Sequence, residues 1–290
     1  MIDIGRIGLW QGLDSHPAAQ VRATVAELDQ QGWPCLWIPE TVARDPFVAA
    51  GTMLEATTNL RVATGIASIW ARDAMTTANA AKTLNEAHDG RFLLGLGASH
   101  HTLTEWVRKH DYSKPLSTMR TYLERMDASM FKGVEPAEPT TRVIAALGPR
   151  MLALGGEMTD GVHPYFVPVE HTAIAREAVG PDKMVATEQM VVLDADASSA
   201  RETARAHMKV YVGLPNYANN LLRLGFSEDE ITNLDDRLVD AIVVWGTVDD
   251  VADRVRAHHD AGASHVCIQV LRPDRELPMP EWQQLADALL

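Results

Sequence analysis

One parallel (β/α)8 barrel is the fold class this sequence predicts, and three observations carry the expectation. Strand-like and helix-like segments alternate eight times from end to end. The strand-like runs are apolar without alternation, as from Phe92 to Leu96, which suits parallel strands covered on both faces. The chain has 290 residues, close to the length at which a single barrel of this kind is common. One domain, 1–290, is therefore expected.

In order, Ile4–Leu9 reads as a short strand, and Pro17–Gln31 as a helix that stops at Gly32. Cys35–Pro39 is the second strand and Pro46–Thr57 its helix. Leu60–Ile69 is the third strand, with Asp73 a fitting N-cap for a helix to about Ala87. Phe92–Ala98 is the fourth. A polar stretch from His100 to Pro115 delays the next helix, Leu116–Met130, and that extra length marks a candidate active-site loop. The second half repeats the pattern: strand Arg142–Leu147, helix Pro149–Met158, strand Gly161–Val167, helix Val169–Val179 and strand Val185–Leu193. The span of about 198–238 is too long for one barrel helix and is broken by Gly213, Pro215 and Gly225, so it reads as a helical insertion. Val239–Trp245 leads to Val248–Ala261, a helix opened by Thr247 and closed by Gly262. His265–Leu271 is the last strand, and Pro280–Leu290 the closing helix.

Composition excludes several classes. A formal charge of −13 argues against nucleic acid and against an anionic membrane surface, because phosphate-rich partners need clustered Lys and Arg. It leaves room for a small anionic cofactor, since a few backbone amides and one Arg dominate locally. The longest apolar runs fall short of a membrane span, and the N-terminus has no signal-peptide pattern, so a cytoplasmic protein is expected. Cys35 and Cys267 sit in apolar strands and read as buried free thiols. No GxGxxG follows the first strand, and no HExxH, CxxC or spaced carboxylate cluster is present, so no metal site is expected. His258 and His259 are adjacent on a helix and point about 100° apart, which does not suit one ion.

The candidate site residues lie where strands end. Gly90–His101 reads as a turn, a buried strand, small residues and two imidazoles, the way a barrel presents a site at its carboxyl rim. Of that pair, His100 is the candidate acid or base near neutral pH; two solvated loop histidines are the alternative. Gly148-Pro149-Arg150-Met151 opens a helix directly after a strand, so its free amides and positive end form an anion site that Arg150 would strengthen. A well-capped helix with Arg150 in solvent is the alternative. His163 and Tyr165 follow the sixth strand, and Trp10, Trp70 and Trp245 fall at strand ends. These residues line a substrate pocket or simply pack the core.

Together, four segments resemble the luciferase-like monooxygenase superfamily, in particular its branch that uses the deazaflavin coenzyme F420. They are Leu36–Glu40, Val62–Ile69, Gly90–Ser99 and Ile144–Met151 with its continuation to Val162; Trp245-Gly246-Thr247 and Val251–Ala263 are similar as well. The resemblance implies a TIM barrel of the bacterial luciferase-like type, with its helical insertion after strand 7. It also implies hydride transfer between deazaflavin C5 and an organic substrate, and a homodimer. Cofactor contacts are implied at Glu40, Ala67, Ser68, Ile69, Gly97, Ala98, Leu147, Gly148, Pro149, Arg150, Met151 and Tyr165. In this picture Glu40 sits beside the pyrimidine side of the ring and has a catalytic part with His100. Ser68-Ile69 forms a non-prolyl cis bulge backing the ring, and Gly97-Ala98 leaves room for it. The loop His100–Pro115 is a partial lid, and Tyr211–Leu224 shapes the substrate entrance. Family members that oxidise sugar phosphates carry a His after the Glu40 position and a Glu at the position of His100; Thr41 and His100 here point away from that substrate. An FMN-dependent monooxygenase using reduced flavin and oxygen is the alternative, and a non-catalytic F420 or flavin carrier is another.

Overall fold

The computed structural model describes residues 1–274 and 276–290. Its sheet runs through β1 (Ile7–Trp10), β2 (Cys35–Ile38), β3 (Arg61–Thr64) with its short continuation β4 (Ala67–Ser68), β5 (Phe92–Gly97), β6 (Arg142–Ile144), β7 (Gly161–Val162) and β8 (Met184–Val192). β9 (Val243–Trp245) pairs with the carboxyl end of β8, and β10 (His265–Val270) pairs with both β8 and β1. All pairings are parallel, and the β10–β1 contact closes an eight-stranded TIM barrel. The expected fold holds.

The helices around it are α1 (Ala18–Gln30), α2 (Pro46–Glu55), α3 (Ala74–Ala87), α4 (Pro115–Asp127), α5 (Pro149–Met158) and α6 (Val169–Val179). After β8 come α7 (Ala197–Val212), α8 (Pro215–Arg223), α9 (Glu228–Asn233) and α10 (Asp236–Ile242), the expected insertion; α11 (Val248–Asp260) and α12 (Met279–Leu289) complete the set. Local chemistry explains several boundaries. Asp45 accepts from the Phe47 and Val48 amides with Pro46 in the first turn of α2. Thr247 and Asp250 form a reciprocal capping box on α11, and Asp73 caps α3 through the Thr76 amide.

Strand alternation sorts the apolar residues into two cores. Leu36, Ile38, Val62, Phe92, Leu94, Ile144, Val185 and Val266 pack outward against the helices. Trp10, Cys35, Trp37, Ala63, Leu93, Val143, Ala186 and Cys267 point into the barrel. Both cysteines are free and buried. The interior also holds polar groups. The Trp37 indole N–H donates to His265 Nε2 at 3.1 Å and its ring stacks on His163 at 4.4 Å. Burial pushes His163 and His265 down to about 4, so both are neutral at pH 7. Burial pushes Glu188 up to about 8, against the Phe166 amide that donates to its Oε2 at 3.1 Å. His258 is spoken for: one ring nitrogen meets Thr172 at 2.8 Å and the other Gln189 at 2.9 Å.

Three segments depart from the expected pattern. The first strand begins at Ile7 rather than Ile4, because Gly5 takes a left-handed backbone (φ 71°). Regular pairing after α5 covers only Gly161–Val162, beyond which the His163 N–H still donates to the Ile144 carbonyl at 2.9 Å and the Glu188 N–H to the Pro164 carbonyl at 3.0 Å. The third strand is interrupted. Ala63 pairs with Leu93 and Ala67 with Leu96, so three residues of one strand oppose two of the other, a bulge at Thr64–Ile66.

Candidate active site

That bulge shapes the rim. The cis peptide expected at Ser68-Ile69 lies instead at Gly65-Ile66. Gly65 is required there because a Cβ would sit 2.7 Å from Trp10 Nε1, whose N–H donates to the Gly65 carbonyl at 3.1 Å. The bulge turns Ile66 over Gly97, where a Cβ would come within 2.4 Å of Ile66 Cδ1. Gly97 therefore makes room for Ile66. Ala67, Ser68 and Ile69 follow as a buried strand end, and Ala98 is half-buried beside them.

Glu40 is enclosed by donors. Its carboxylate, only 4% exposed, receives Arg72 on both oxygens at 3.0 and 3.1 Å, Arg108 at 3.1 Å and the Ser68 amide at 2.7 Å. With every good acceptor direction filled, no lone pair remains for proton transfer. Glu40 is a positioning residue. It ties the end of β2 to β4 and, through Arg108, to the loop after β5.

That loop is fastened elsewhere too. It opens at Ser99, whose backbone is left-handed (φ 56°), and continues in a π-helical turn, Thr102–Val107. The Tyr112 hydroxyl donates to the Ser99 carbonyl at 2.9 Å, and the Trp70 indole N–H to the Ala98 carbonyl at 2.7 Å. His100 is half-buried at its start, 3.2 Å through Nδ1 from Asn216 Oδ1 and 5.5 Å from the Tyr217 ring. Burial lowers the His100 pKa, against the Asn216 bond, so the ring is neutral at pH 7. With Nδ1–H donated to Asn216, Nε2 carries the lone pair. His101 is half-exposed and pairs with Glu105 at 3.0 Å.

After the carboxyl ends of the strands, a cluster of buried aromatic rings packs together. Trp10 lies 5.1 Å from Tyr165, whose hydroxyl donates to Gln269 at 2.9 Å and meets the Tyr211 hydroxyl at 2.8 Å. Phe166 stacks on Tyr211 at 5.1 Å and meets Tyr217 edge-on at 5.3 Å. Two of these rings, Tyr211 and Tyr217, come from α7 and α8. His163 sits beneath, with Nδ1–H donating to the Ala186 carbonyl at 2.7 Å and Nε2 without a partner among the described residues. Trp245 lies apart from this group: its N–H donates to Asp240 at 2.8 Å and Arg201 covers its ring at 5.3 Å, both within the insertion.

Helix α5 begins without a side-chain cap at Gly148. Pro149 has no N–H, and the Gly148 and Arg150 amides donate to no group among the described residues. The His171 Nε2–H donates to the Leu147 carbonyl at 2.9 Å and holds this loop. Met151 is half-buried and Arg150 exposed. Free amides at a helix start form an anion seat. Sequence reasoning missed Arg72, Arg108, His171, Glu188, Asn220 and Arg223. Arg72, Arg108, His171 and Glu188 gain meaning only from partners far along the chain, and Arg223 from its approach to Gly148; Asn220 is marked only by its burial.

The fold and rim define a (β/α)8 protein that gathers an uncapped helix start, an imidazole and a cluster of buried aromatic rings after the carboxyl ends of its strands. The chain belongs to the luciferase-like monooxygenase family, whose model matches residues 2–265. It is 26% identical over 297 residues to a 5,10-methylenetetrahydromethanopterin reductase of Methanolobus tindarius, covering 87% of this chain and 90% of that one. Among solved structures, the coenzyme F420 dependent tetrahydromethanopterin reductase of Methanopyrus kandleri superposes with a TM-score of 0.76 at 18% identity, covering 97% of each chain. The oxygenating constituent of 3,6-diketocamphane monooxygenase of Pseudomonas putida, in complex with FMN, superposes with a TM-score of 0.72 at 13% identity, covering 97% of this chain and 95% of that one. At these identities the two structures speak for the fold alone. No helix among the described residues is long and apolar enough to cross a membrane.

Proposed function

We propose that this chain is an F420-dependent oxidoreductase that moves a hydride between the deazaflavin and a small organic substrate. The observation that carries the reading is the uncapped start of α5, an anion seat at the same rim as His100 and the aromatic cluster. A relative from Mycobacterium tuberculosis, named a putative coenzyme F420-dependent oxidoreductase and 22% identical over 91% of this chain and 93% of that one, supports the choice of deazaflavin.

The cofactor's phosphate fits the seat, because the Gly148 and Arg150 amides are donors lacking partners among the described residues and the helix start is electropositive. When bound, the deazaflavin supplies a two-electron hydride carrier. The chain supplies orientation and proton handling. Ala67–Ile69 and Ala98 back the ring side of the site, and Glu40 holds that strand end in place through Ser68. Trp10 and Tyr165 exclude water from the site. Neutral His100 presents Nε2 as the proton acceptor when a substrate is oxidised, and returns the proton when one is reduced. Assembly as a homodimer in the cytoplasm completes the proposal.

Titration of the purified protein with oxidised F420 and, separately, FMN tests this reading through cofactor fluorescence. Micromolar or tighter F420 binding with weak FMN binding supports it, and a panel of enones and imines with reduced F420 then seeks turnover. Tight FMN binding alone replaces the reading with a flavin monooxygenase. F420 binding without oxidation by any acceptor replaces it with a carrier.

A further inference from the structure

We propose that helix α8 of the insertion is the second wall of the phosphate seat, with Arg223 and Asn220 closing on the phosphate from the side opposite α5. The inference rests on the phosphate-bearing cofactor proposed above. A Cβ built on Gly148 would lie 3.5 Å from Arg223 Nη2, so the guanidinium faces the uncapped start of α5. Arg223 forms no ion pair among the described residues; Nη2 donates to Asn220 Oδ1 at 3.1 Å. Asn220 is only 2% exposed, and its Nδ2 donor has no partner among the described residues. A buried amide donor without an acceptor is costly, and here it belongs to the residue that holds Arg223, whose guanidinium faces the helix start where two main-chain amides are free. All four are donors, and a phosphate oxyanion is the chemical class that satisfies them together.

The arrangement also links the seat to the site chemistry. Asn216, Asn220 and Arg223 are spaced i, i+4 and i+7, so they share one face of α8. Asn216 holds His100. A phosphate drawing in Arg223 and Asn220 therefore sets the helix that orients His100.

The test compares wild type with Arg223→Ala and Arg223→Lys, each titrated with F420, FMN and riboflavin, which is FMN without its phosphate. Arg223 is exposed, so the variants are expected to fold, and circular dichroism checks this. Arg223→Ala should weaken the phosphate-bearing cofactor about tenfold to a hundredfold, as loss of a charge-assisted bond does. It should leave riboflavin unchanged, and Arg223→Lys should recover part of the loss. Equal cofactor binding by wild type and Arg223→Ala, or equal weakening of riboflavin, overturns the proposal. Should wild type bind neither cofactor, its melting temperature with added inorganic phosphate decides. A rise that Arg223→Ala abolishes keeps the seat and discards the cofactor reading, and no rise discards both.

Discussion

Replacing Glu188 by Gln should remove a pH dependence of stability that this one residue imposes. Glu188 is 1% exposed inside the barrel, with Oε2 bonded to the Phe166 amide and Oε1 without a partner among the described residues. Burial raises its pKa from 4.5 to about 8. Below pH 4.5 the carboxyl is protonated in both folded and unfolded chains, and no cost arises from it. Between pH 4.5 and 8 the unfolded chain has lost a proton that the native chain keeps. Stability therefore falls with rising pH by about 1.4 kcal/mol per pH unit, about 5 kcal/mol in all by pH 8. Glu188→Gln eliminates that loss. The new amide must place its NH2 where Oε1 lacked a partner, which costs about 1–3 kcal/mol but equally at every pH. The assay is urea unfolding of wild type and variant from pH 5 to pH 8, at constant ionic strength. The difference in unfolding free energy should move in favour of the variant with a slope near 1.4 kcal/mol per pH unit. A difference independent of pH would refute the assignment of a neutral buried carboxyl.

Other outcomes follow from the same geometry. Gly97→Ala should cost about 1–3 kcal/mol by overpacking against Ile66, and Ile66→Ala in the same chain should recover much of that loss; additive effects in denaturant melts would show that Ile66 does not own the space. Glu40→Ala leaves Arg108 without an ion pair and Arg72 with Asp45 alone, so a loss of about 1–3 kcal/mol is expected. It should also speed protease cleavage within residues 100–114, and unchanged cleavage would mean that Arg108 does not hold the loop. His100→Gln should slow single-turnover hydride transfer about a hundredfold or more while leaving F420 affinity intact. In wild type the oxidation rate should rise with pH through a pKa below 6.5, since burial lowers that of His100 and only the neutral ring accepts the proton; a pH-independent rate would remove His100 from this role.

Much of the fold was legible because its signals are local. Asp73, Thr247 and Pro149 mark helix starts through bonds or ring geometry within a few residues. The apolar runs Phe92–Leu96 and His265–Val270 became strands buried on both faces. Less of the site was legible. Glu40 was read from its position at a strand end, but its role follows from Arg72 and Arg108, 32 and 68 residues on. Gly97 was read as leaving room for a ring, and only the fold shows that the Ile66 side chain comes against it.

By itself, then, the sequence determined the (β/α)8 order and the presence of a helical insertion, since periodicity, caps and turn residues act over a single helical turn or strand. Tertiary structure alone decided the bulge at Thr64–Ile66, the closure of Glu40 by two arginines, the neutral Glu188 and the facing of Arg223 on Gly148. Each of these depends on register or burial between segments distant in the chain, and neither quantity is encoded in any one segment.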